Sequence, residues 1–578
     1  MKDFYKRETF LIILLILISL FPLKDLLTPG AYQSHDIIEH AARLASFYES
    51  LQQGNPIPRW GGNLNYTYGH PVIMFLYPLT NYLGSFLHFL GFSIINSIKI
   101  LFGISYIASG VFMYLWIKRL WGEKAGFIAA IFYLFAPYRF VDLYVRAALG
   151  EHLAFVFIPL VCWMLTELIK TQKKKYLALS SISIALLILS HNAISLIFMP
   201  FIVIYGLFLI YQREKKIRFS LFHCLPRLNS CAKHGRIGRV KQQEFLWGLI
   251  VPLLLGLALS SFFWLPALVE GKYTLREIVA DKEIFINNYL KPGELFFSKW
   301  GYGGSSNKEE LSGFMVSLSW FQWLAIFISV VLVFIKKNKD KLFLTFLLIY
   351  LFLAIFFTNT LSKPFVNIVP LVSNFQFPWR LLSVPVFICG ILAGYLVFYF
   401  RKKLQLYMVF IFCLIVILST VGYWQIKEKG KTYSDDYFLQ EYTGTTETGE
   451  STPRWAIRFQ ESYPYDRVQL VYGGIDGHEI EKWNFEEHRY TISIREDSQI
   501  VDNTLYFPGW KVWVNEKEVP INYQDLNWRG MITYPVPVGE HQVVVKFTRT
   551  KVRLIADIIS LISLIGLISL IIFYKNEK

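Results

Sequence analysis

The chain contains few charged residues and few cysteines. Only 17% of its 578 residues are charged and only five are cysteine, whereas 54% are hydrophobic, and the mean hydropathy is +0.39. This polar fraction excludes a series of soluble domains, since each would need a charged surface around its core. The composition therefore predicts a polytopic α-helical membrane protein.

The placement of the cysteines excludes a second class of protein. Cys162, Cys389 and Cys413 lie in apolar runs, and Cys224 and Cys231 lie in a strongly basic stretch. None falls in a segment that we assign to the outside of the cell. A disulfide framework of the kind that small secreted domains use is therefore not expected.

The formal net charge of +16 would indicate a nucleic-acid partner in a soluble protein. Here the lysines and arginines gather in short clusters between apolar runs, where they set the orientation of a membrane protein. We therefore expect membrane lipids, and no nucleic acid, as partners.

About twelve apolar runs approach the roughly 20 residues that cross hydrocarbon. The first has a short core and no small-residue cleavage pattern after it, so we interpret it as an uncleaved anchor. The predicted spans are 8–27, 96–117, 124–138, 152–169, 176–190, 193–211, 245–266, 314–335, 342–358, 381–400, 404–424 and 554–574.

A further apolar run, from Val72 to Leu90, decides the topology. If it crossed the membrane, the basic clusters of the later loops would lie outside, against the positive-inside rule. Pro71, Pro78 and Asn81 interrupt it, so we predict that it lies in the outer interface. Both termini are then cytoplasmic in a multi-pass protein of the cell membrane.

This topology divides the chain into three parts. Residues 1–424 form a transmembrane core whose first external loop is 28–95, residues 425–552 an extracytoplasmic β-sandwich-like domain, and residues 553–578 a final transmembrane helix. The β domain is predicted from short alternating runs such as YTISIR, KVWVN and HQVVVKF, separated by turn residues.

The first external loop opens with four titratable residues, His35, Asp36, Glu39 and His40. Apolar residues recur at a helical period from Asp36 to Gln53, which predicts a helix lying flat at the membrane surface. Asp36 would stand at its N-terminus, where backbone donors and the dipole keep a carboxylate ionised. It could take a proton from a hydroxyl nucleophile, or simply cap the helix.

The rest of this loop is rich in aromatic residues, glycine and proline, and includes Arg59, Trp60, Tyr68 and His70. Such a segment offers rigid stacking surfaces of the kind that sugar sites need. An interfacial aromatic belt explains the same residues.

Residues 138–151 place Tyr138, Asp142 and Arg146 at i, i+4 and i+8, which predicts that they share one helical face, with Glu151 following. Arg146 is a candidate clamp for a phosphate, with Arg380 as a second cation at the same depth. The alternative is an interfacial arginine paired with Asp142.

His191, between two apolar helices, is a further candidate for substrate binding. It could equally cap the helix that follows it.

The order of these motifs resembles a known family. HD-x-x-EH, P-x-P-R-W, Y-x-YGHP, YR-x-VD-x-YVR-x-ALGEHLA, SHNA, QFPWR and YFPGW follow one another along the chain. The succession looks like the membrane proteins labelled 6-pyruvoyl-tetrahydropterin synthase-related, which are similar to the YfhO family and to the GT-C glycosyltransferase superfamily. The resemblance covers nearly the whole chain.

The resemblance implies a GT-C-like core and transfer of a sugar from a polyprenyl-phosphate donor. Asp36 is the position that matches the acidic residue in the first external loop of such enzymes. Several members of the superfamily add a divalent metal, for which His35, Glu39 and His40 could supply ligands. The pterin label carries no activity, because the chain lacks the soluble fold and the three-histidine site of such a synthase.

The function expected from the sequence is therefore an inverting transfer of a lipid-linked sugar to an extracytoplasmic glycan, lipid or protein. Asp36 would act as the base, and Arg146 or Arg380 would neutralise the leaving phosphate. The alternatives are a transporter or flippase of lipid-linked sugars, which would carry midplane polar sites and an internal repeat, and a catalytically inactive membrane component.

Overall fold

A computed structural model describes residues 2–223, 246–276, 282–304, 313–335, 340–365, 367–368 and 375–576. The basic stretch with Cys224 and Cys231 lies outside these ranges. Within them, eight helices are long and apolar enough to cross a membrane. They are Glu8–Leu27, Ile94–Trp121, Leu149–Thr171, Asn192–Glu214, Lys341–Thr358, Pro378–Tyr399, Lys402–Tyr423 and Lys551–Ile572.

Four more predicted spans correspond to bent or shorter helices. Glu123–Leu134 with Pro137–Arg146 bends by 51°, and Leu246–Leu259 with Ser261–Tyr273 bends by 70°. Lys174–Ser190 has 17 residues and Trp320–Phe334 has 15. The predicted polytopic helical fold is confirmed, and each of the twelve predicted spans contains a helix, although the span 314–335 becomes helical only at Trp320.

Two helices form the centre of the bundle. The apolar window of Pro378–Tyr399 is 94% buried and that of Leu149–Thr171 is 89% buried, against 11% for Lys402–Tyr423. A Cβ atom on Gly390 would lie 3.0 Å from the Ala129 carbonyl oxygen, and one on Gly394 would lie 2.8 Å from the Ala125 oxygen. The two glycines therefore permit close backbone approach of neighbouring helices, the usual packing in membranes.

The run from Val72 to Leu90 forms two short helices, Val72–Phe75 and Leu79–Phe89, with Pro78 between them. The longer has 11 residues and extends about 16 Å, far less than the roughly 30 Å of hydrocarbon. This agrees with the prediction that the segment does not span the bilayer.

The predicted helix of the first long loop, residues 28–93, is Ile37–Gln52. Its apolar stripe is buried at Ala41, Leu44 and Ala45. Leu44 lies so close to Gly84 of Leu79–Phe89 that a Cβ atom there would lie 2.8 Å from a Leu44 methyl carbon. The two helices thus pack directly on each other.

The strands form one six-stranded antiparallel sheet in the order β1-β2-β6-β3-β4, with β5 also pairing with β2. They are β1 Val468–Trp483, β2 Glu487–Leu505, β3 Trp510–Val514, β4 Lys517–Val519, β5 Met531–Val536 and β6 Gly539–Phe547.

The sheet is single because β2 is long enough for two partners on one edge. Residues 487–494 of β2 pair with β6, and residues 498–505 pair with β5. The predicted β domain before the last helix is confirmed, and its six strands belong to one hydrogen-bonded sheet. It occupies only the later part of 425–552, since the earlier part contains turns and the helix Asp435–Gln440.

Candidate functional site

A buried carboxylate, Glu151, stands at the centre of a charged cluster. Its Oε1 accepts hydrogen bonds from Arg146 Nη2 at 2.8 Å and from Arg380 Nε at 3.0 Å. Tyr138 Oη donates to Oε2 at 3.1 Å. Arg146 also donates to Asp142 and to Tyr138. We call these five residues, Tyr138, Asp142, Arg146, Glu151 and Arg380, the Glu151 cluster.

The backbone between Arg146 and Glu151 is irregular. Residues Val141–Arg146 form a π-helical turn, and Ala147 follows in the left-handed conformation with φ of 53°. A non-glycine residue there costs about 1 kcal/mol or more. The predicted regular helical face of Tyr138, Asp142 and Arg146 is therefore wrong in geometry, although the predicted contacts among these residues are present. Strained turns of this kind are concentrated at functional sites.

Arg146 is enclosed. Its guanidinium carbon lies 4.1 Å from the centre of the Trp379 ring, its residue is 4% exposed, and both terminal nitrogens are already bonded. Arg146 is thus paired with Asp142, as the alternative to a phosphate clamp predicted. A phosphate would reach Arg146 only if the cluster opened.

Arg380 is the more accessible cation. Its Nε binds Glu151 and its Nη1 donates to the Phe375 carbonyl oxygen at 3.0 Å. Among the described residues Nη2 has no hydrogen-bond partner, and the side chain is 15% exposed. One donor of Arg380 therefore remains available to an anion.

His191 combines the two roles that the sequence left open. Its Nδ1 accepts a hydrogen bond from the Ile194 backbone amide at 3.2 Å, which caps the helix beginning at Asn192. Its Nε2 lies 3.9 Å from Glu151 Oε1, and its ring stacks on Tyr77 with centroids 4.8 Å apart. His191 therefore both caps the start of one helix and faces the cluster.

Asp36 lies against this cluster through its backbone. The amides of His35 and Asp36 donate to the carbonyl oxygens of Val145 and Arg146, each at 3.0 Å. Asp36 occupies the N-cap position of Ile37–Gln52, yet its side chain makes no capping hydrogen bond. In the described part of the chain the carboxylate has no hydrogen-bond or ion-pair partner. Capping therefore does not explain the aspartate.

The electrostatics of Asp36 differ from the sequence expectation. Burial raises the pKa of Asp36 above its usual value, and the charges of Arg146, His35, Arg43 and Arg380 oppose that rise without cancelling it. The helix N-terminus was expected to keep the group firmly ionised. A raised pKa brings a carboxylate closer to the operating pH, which improves it as a general base.

The predicted metal ligands do not come together. Among the described residues no group of three His, Cys, Asp or Glu side chains is placed to hold a metal ion. Glu39 accepts a hydrogen bond from Tyr442, and His40 Nδ1 lies 3.4 Å from Arg43 Nη1. Burial, and next the charge of Arg43, lowers the pKa of His40 well below its usual value. His35, Glu39 and His40 therefore do not fit a metal site in this arrangement.

The aromatic part of the first long loop packs elsewhere. Trp60 and Tyr68 belong to the hydrophobic core of the β domain, where the Trp60 ring lies 5.5 Å from that of Trp510. Arg59 is held by Asp557 of the last helix, and His70 Nε2 lies 3.1 Å from Thr452 Oγ1. These four predicted substrate residues thus join the loop to the β domain and the last helix, and do not contact the Glu151 cluster.

Sequence reasoning missed several neighbours of the site. Arg43 is buried seven residues after Asp36 and donates to the Thr446 carbonyl oxygen at 2.7 Å. Tyr77 and Trp379 cover His191 and Arg146. Arg43 falls outside the apolar stripe of Ala41, Leu44 and Ala45, so no pattern in the sequence indicated its burial. Tyr77 and Trp379 gave no signal beyond their size.

The chain belongs to a family of membrane proteins. The family model described as "6-pyruvoyl-tetrahydropterin synthase related domain; membrane protein" matches residues 74–427, which is more than half of the sequence. An uncharacterized protein of Lactococcus lactis subsp. cremoris (strain MG1363) is 25% identical over 215 residues, covering 36% of this chain and 34% of that protein. The match thus spans about a third of the relative.

Two solved structures show a distant likeness. The oligosaccharyltransferase of Archaeoglobus fulgidus in its apo form has a TM-score of 0.41 and 14% identity, covering 79% of this chain and 62% of that chain. The arabinofuranosyltransferase AftD from Mycobacteria has a TM-score of 0.39 and 14% identity, covering 79% of this chain and 28% of that chain. At these scores the likeness assigns no activity.

Proposed function

We propose that the protein is a membrane glycosyltransferase that transfers a sugar from a polyprenyl-phosphate donor to an extracytoplasmic acceptor. The observation that carries the proposal is Asp36, a carboxylate that has no bonding partner among the described residues and lies near the charges of three arginines, Arg146, Arg43 and Arg380. The polytopic fold and the resemblance of the loop acid Asp36 to that of GT-C enzymes support it.

The proposed reaction uses the residues in separate roles. Asp36 accepts the proton of an acceptor hydroxyl while that oxygen attacks the anomeric carbon of the donor sugar. The bond from the anomeric carbon to the phosphate oxygen breaks, and Arg380 Nη2 binds the polyprenyl phosphate that leaves. Attack opposite the departing phosphate inverts the anomeric centre.

The other members of the cluster position these two groups. Glu151 holds Arg380 through Nε and leaves Nη2 without a partner among the described residues. Arg146 binds Glu151, and its carbonyl oxygen accepts the Asp36 amide. Glu151 therefore holds Arg380 directly and the Asp36 backbone through Arg146.

The nature of the donor follows from the proposed sidedness. A site outside the cell has no access to cytosolic nucleotide sugars, so the activated sugar must arrive on a lipid carrier. The cations beside Asp36 suit the phosphate of such a carrier. The acceptor is a glycan, a lipid or a protein. The proposed sidedness places the protein in the cell membrane with both termini in the cytoplasm.

The test is transfer by Asp36→Asn in membranes supplied with radiolabelled polyprenyl-phosphate sugars. Loss of a general base should lower transfer by about 10²- to 10⁴-fold. Glu49→Gln is the matched control, because Glu49 lies on the same helix and its carboxylate binds, within the described part of the chain, only the nearby Gln53 side chain. Unchanged transfer by Asp36→Asn would reject Asp36 as the base.

One observation favours a transporter of lipid-linked sugars as a second candidate. Asp142 and Arg146 lie in the second half of the bent pair Glu123–Leu134 and Pro137–Arg146, and broken helices with polar residues are typical of transporter sites. The same membranes separate the two candidates. Label that crosses the bilayer without forming a new glycosidic bond would support transport.

A further inference from the structure

A polar cavity lies away from the Glu151 cluster. Its volume is about 500 Å³, and it lies between the loop after Ile37–Gln52, the β1–β2 turn and the segment joining β6 to the last helix. Its charged lining consists of Arg59, Lys482, Glu486, Glu487, Lys546, Arg549 and Arg553. None of these residues belongs to the Glu151 cluster.

The helix Ile37–Gln52 separates the cavity from Asp36. Asp36 precedes its first residue, and Gln53, which lines the cavity, follows its last. Sixteen helical residues extend about 24 Å. A group bound in the cavity therefore cannot share hydrogen bonds with Asp36, and the cavity is a site of its own.

The inner wall of the cavity is neutralised by buried ion pairs. Arg59 donates to both oxygens of Asp557, at 3.1 and 2.6 Å. Arg553 donates to Glu270 Oε2 through Nε at 2.9 Å and Nη2 at 2.8 Å. These arginines join the last helix to its neighbours, and their charge is largely compensated.

The rim carries positive charge that is compensated less well. Lys482 and Lys546 each lie 3.3 Å from the same oxygen of Glu487, and their side chains are 39% and 49% exposed. Arg489 also binds Glu487. Arg549 lies 3.6 Å from Asp557, which Arg59 already occupies, and is 55% exposed. Lys482 and Lys546 therefore share Glu487 with Arg489, and Arg549 shares Asp557 with Arg59.

The remaining acid of the cavity adds little negative charge near neutral pH. Burial raises the pKa of Glu486 to about 7, against the opposing effects of the Arg59 amide and of the Arg59, Arg553 and Arg549 charges. A carboxyl group that is partly protonated repels an incoming anion weakly and can donate a hydrogen bond to it.

The cavity lies next to a membrane-spanning helix. β6 ends at Phe547, and the apolar span of the last helix begins at Lys551. Lys546 and Arg549 are therefore within a few residues of the point where the chain enters hydrocarbon. Lipid phosphates lie at this level, and long basic side chains at helix ends reach toward them.

We propose that this cavity binds a phosphate group, with Lys482, Lys546 and Arg549 as its ligands. An anionic lipid headgroup and a free phosphate share this chemistry. The proposal stands independently of the proposed glycosyl transfer, because it uses none of the residues that position Asp36.

The test is native mass spectrometry of the full-length protein released from detergent, titrated with dihexanoyl phosphatidic acid. The probe variant is Lys546→Gln with Arg549→Gln, because both side chains are half exposed and their loss should not disturb folding. A basic residue facing lipid phosphate contributes about fivefold in affinity, so the double variant should bind about 25-fold more weakly.

Arg495→Gln is the control, because Arg495 is an exposed cation of the same sheet, paired with Asp476 and away from the cavity. It should bind like the wild type. The proposal would be overturned if the wild type, the double variant and the control bound phosphatidic acid equally and also bound inorganic phosphate equally, or if the wild type bound neither.

Two further probes identify the source of the phosphate. Dihexanoyl phosphatidylcholine, whose choline cancels the phosphate charge, should bind the wild type weakly and be insensitive to the double variant. Saturable binding of inorganic phosphate that the double variant weakens would assign the site to a free phosphate. Binding of phosphatidic acid without competition from inorganic phosphate would assign it to a lipid headgroup.

Discussion

The two ends of helix Ile37–Gln52 hold charge in opposite ways. At its start, Glu151 is fully buried and two guanidinium groups bind it directly. At its end, half-exposed cations surround a 500 Å³ cavity and share a few carboxylates. Buried charge of the first kind fixes geometry, because every displaced partner costs free energy. Exposed charge of the second kind attracts ions but fixes little.

The largest effect is expected for Glu151→Gln. The substitution removes the only acidic partner of Arg380 among the described residues and leaves Arg146 with Asp142 alone, so the free energy of unfolding should fall by about 3–5 kcal/mol. Thermal unfolding of the purified full chain in detergent measures the change. Asp476→Asn, in an exposed pair with Arg495, should cost less than about 1 kcal/mol. Similar losses in the two variants would remove the distinction between the two kinds of charge.

Asp36→Asn should separate activity from stability. Its carboxylate has no bond to lose in the described part of the chain, and its burial disfavours the charged form. The unfolding temperature should therefore stay unchanged or rise while transfer falls. A fall in stability as large as that of Glu151→Gln would show that Asp36 is a member of the buried network and not an available base.

A pH series tests two adjacent acids of the cavity. The folded-state pKa of Glu486 is raised to about 7 by burial, so folding binds its proton more tightly than the unfolded chain does. Stability contributed by this proton is present below the usual value near 4.5 and is lost as the pH rises to about 7. Glu486→Gln should therefore flatten the decline in unfolding temperature between pH 5 and 8.

Glu487 should show the opposite sign. Burial alone would raise its pKa, but hydrogen bonds and charges from Arg489, Lys546 and Lys482 lower it overall. Its stabilisation is present above the usual value and lost as the pH falls through the lowered one. Glu487→Gln should thus reduce stability at pH 7 and have little effect in strong acid. If the unfolding temperatures of the two variants depended on pH in the same way, the opposite pKa shifts of Glu486 and Glu487 would be contradicted.

The smallest effect on stability is expected for Lys546→Gln with Arg549→Gln. Surface substitutions away from packed groups usually change the free energy of unfolding by no more than about 0.5 kcal/mol. The thermal unfolding temperature in detergent should match that of Arg495→Gln. A large fall in unfolding temperature would show that Lys546 or Arg549 stabilises the fold. The lipid titration would then use the two single variants instead of the double variant.

Local patterns predicted much of the fold. Hydropathy located the twelve helical segments because each run carries its own apolar signal. The period of Ala41, Leu44 and Ala45 predicted Ile37–Gln52, and alternation in YTISIR and HQVVVKF predicted two paired strands. Pro78 correctly indicated the break between two short helices.

Contacts between distant parts of the chain were not accessible to the same reasoning. Arg59 and Asp557 are separated by 498 positions, and Arg43 and Thr446 by 403. Nothing near Arg59 in sequence indicates an acidic partner in the last helix, so it was interpreted as a substrate ligand. The π-helical turn before Ala147 was also missed, because the spacing of Tyr138, Asp142 and Arg146 fits a regular helix equally well.

The last helix has a role beyond holding the chain in the bilayer. Only 17% of its apolar window is buried in the protein, yet Arg553 and Asp557 form the counterparts of Glu270 and Arg59. Removing this helix would leave an arginine and a glutamate enclosed without countercharges. The first turns of the last helix bind Arg59 through Asp557. They therefore hold in position the loop whose other end carries Asp36.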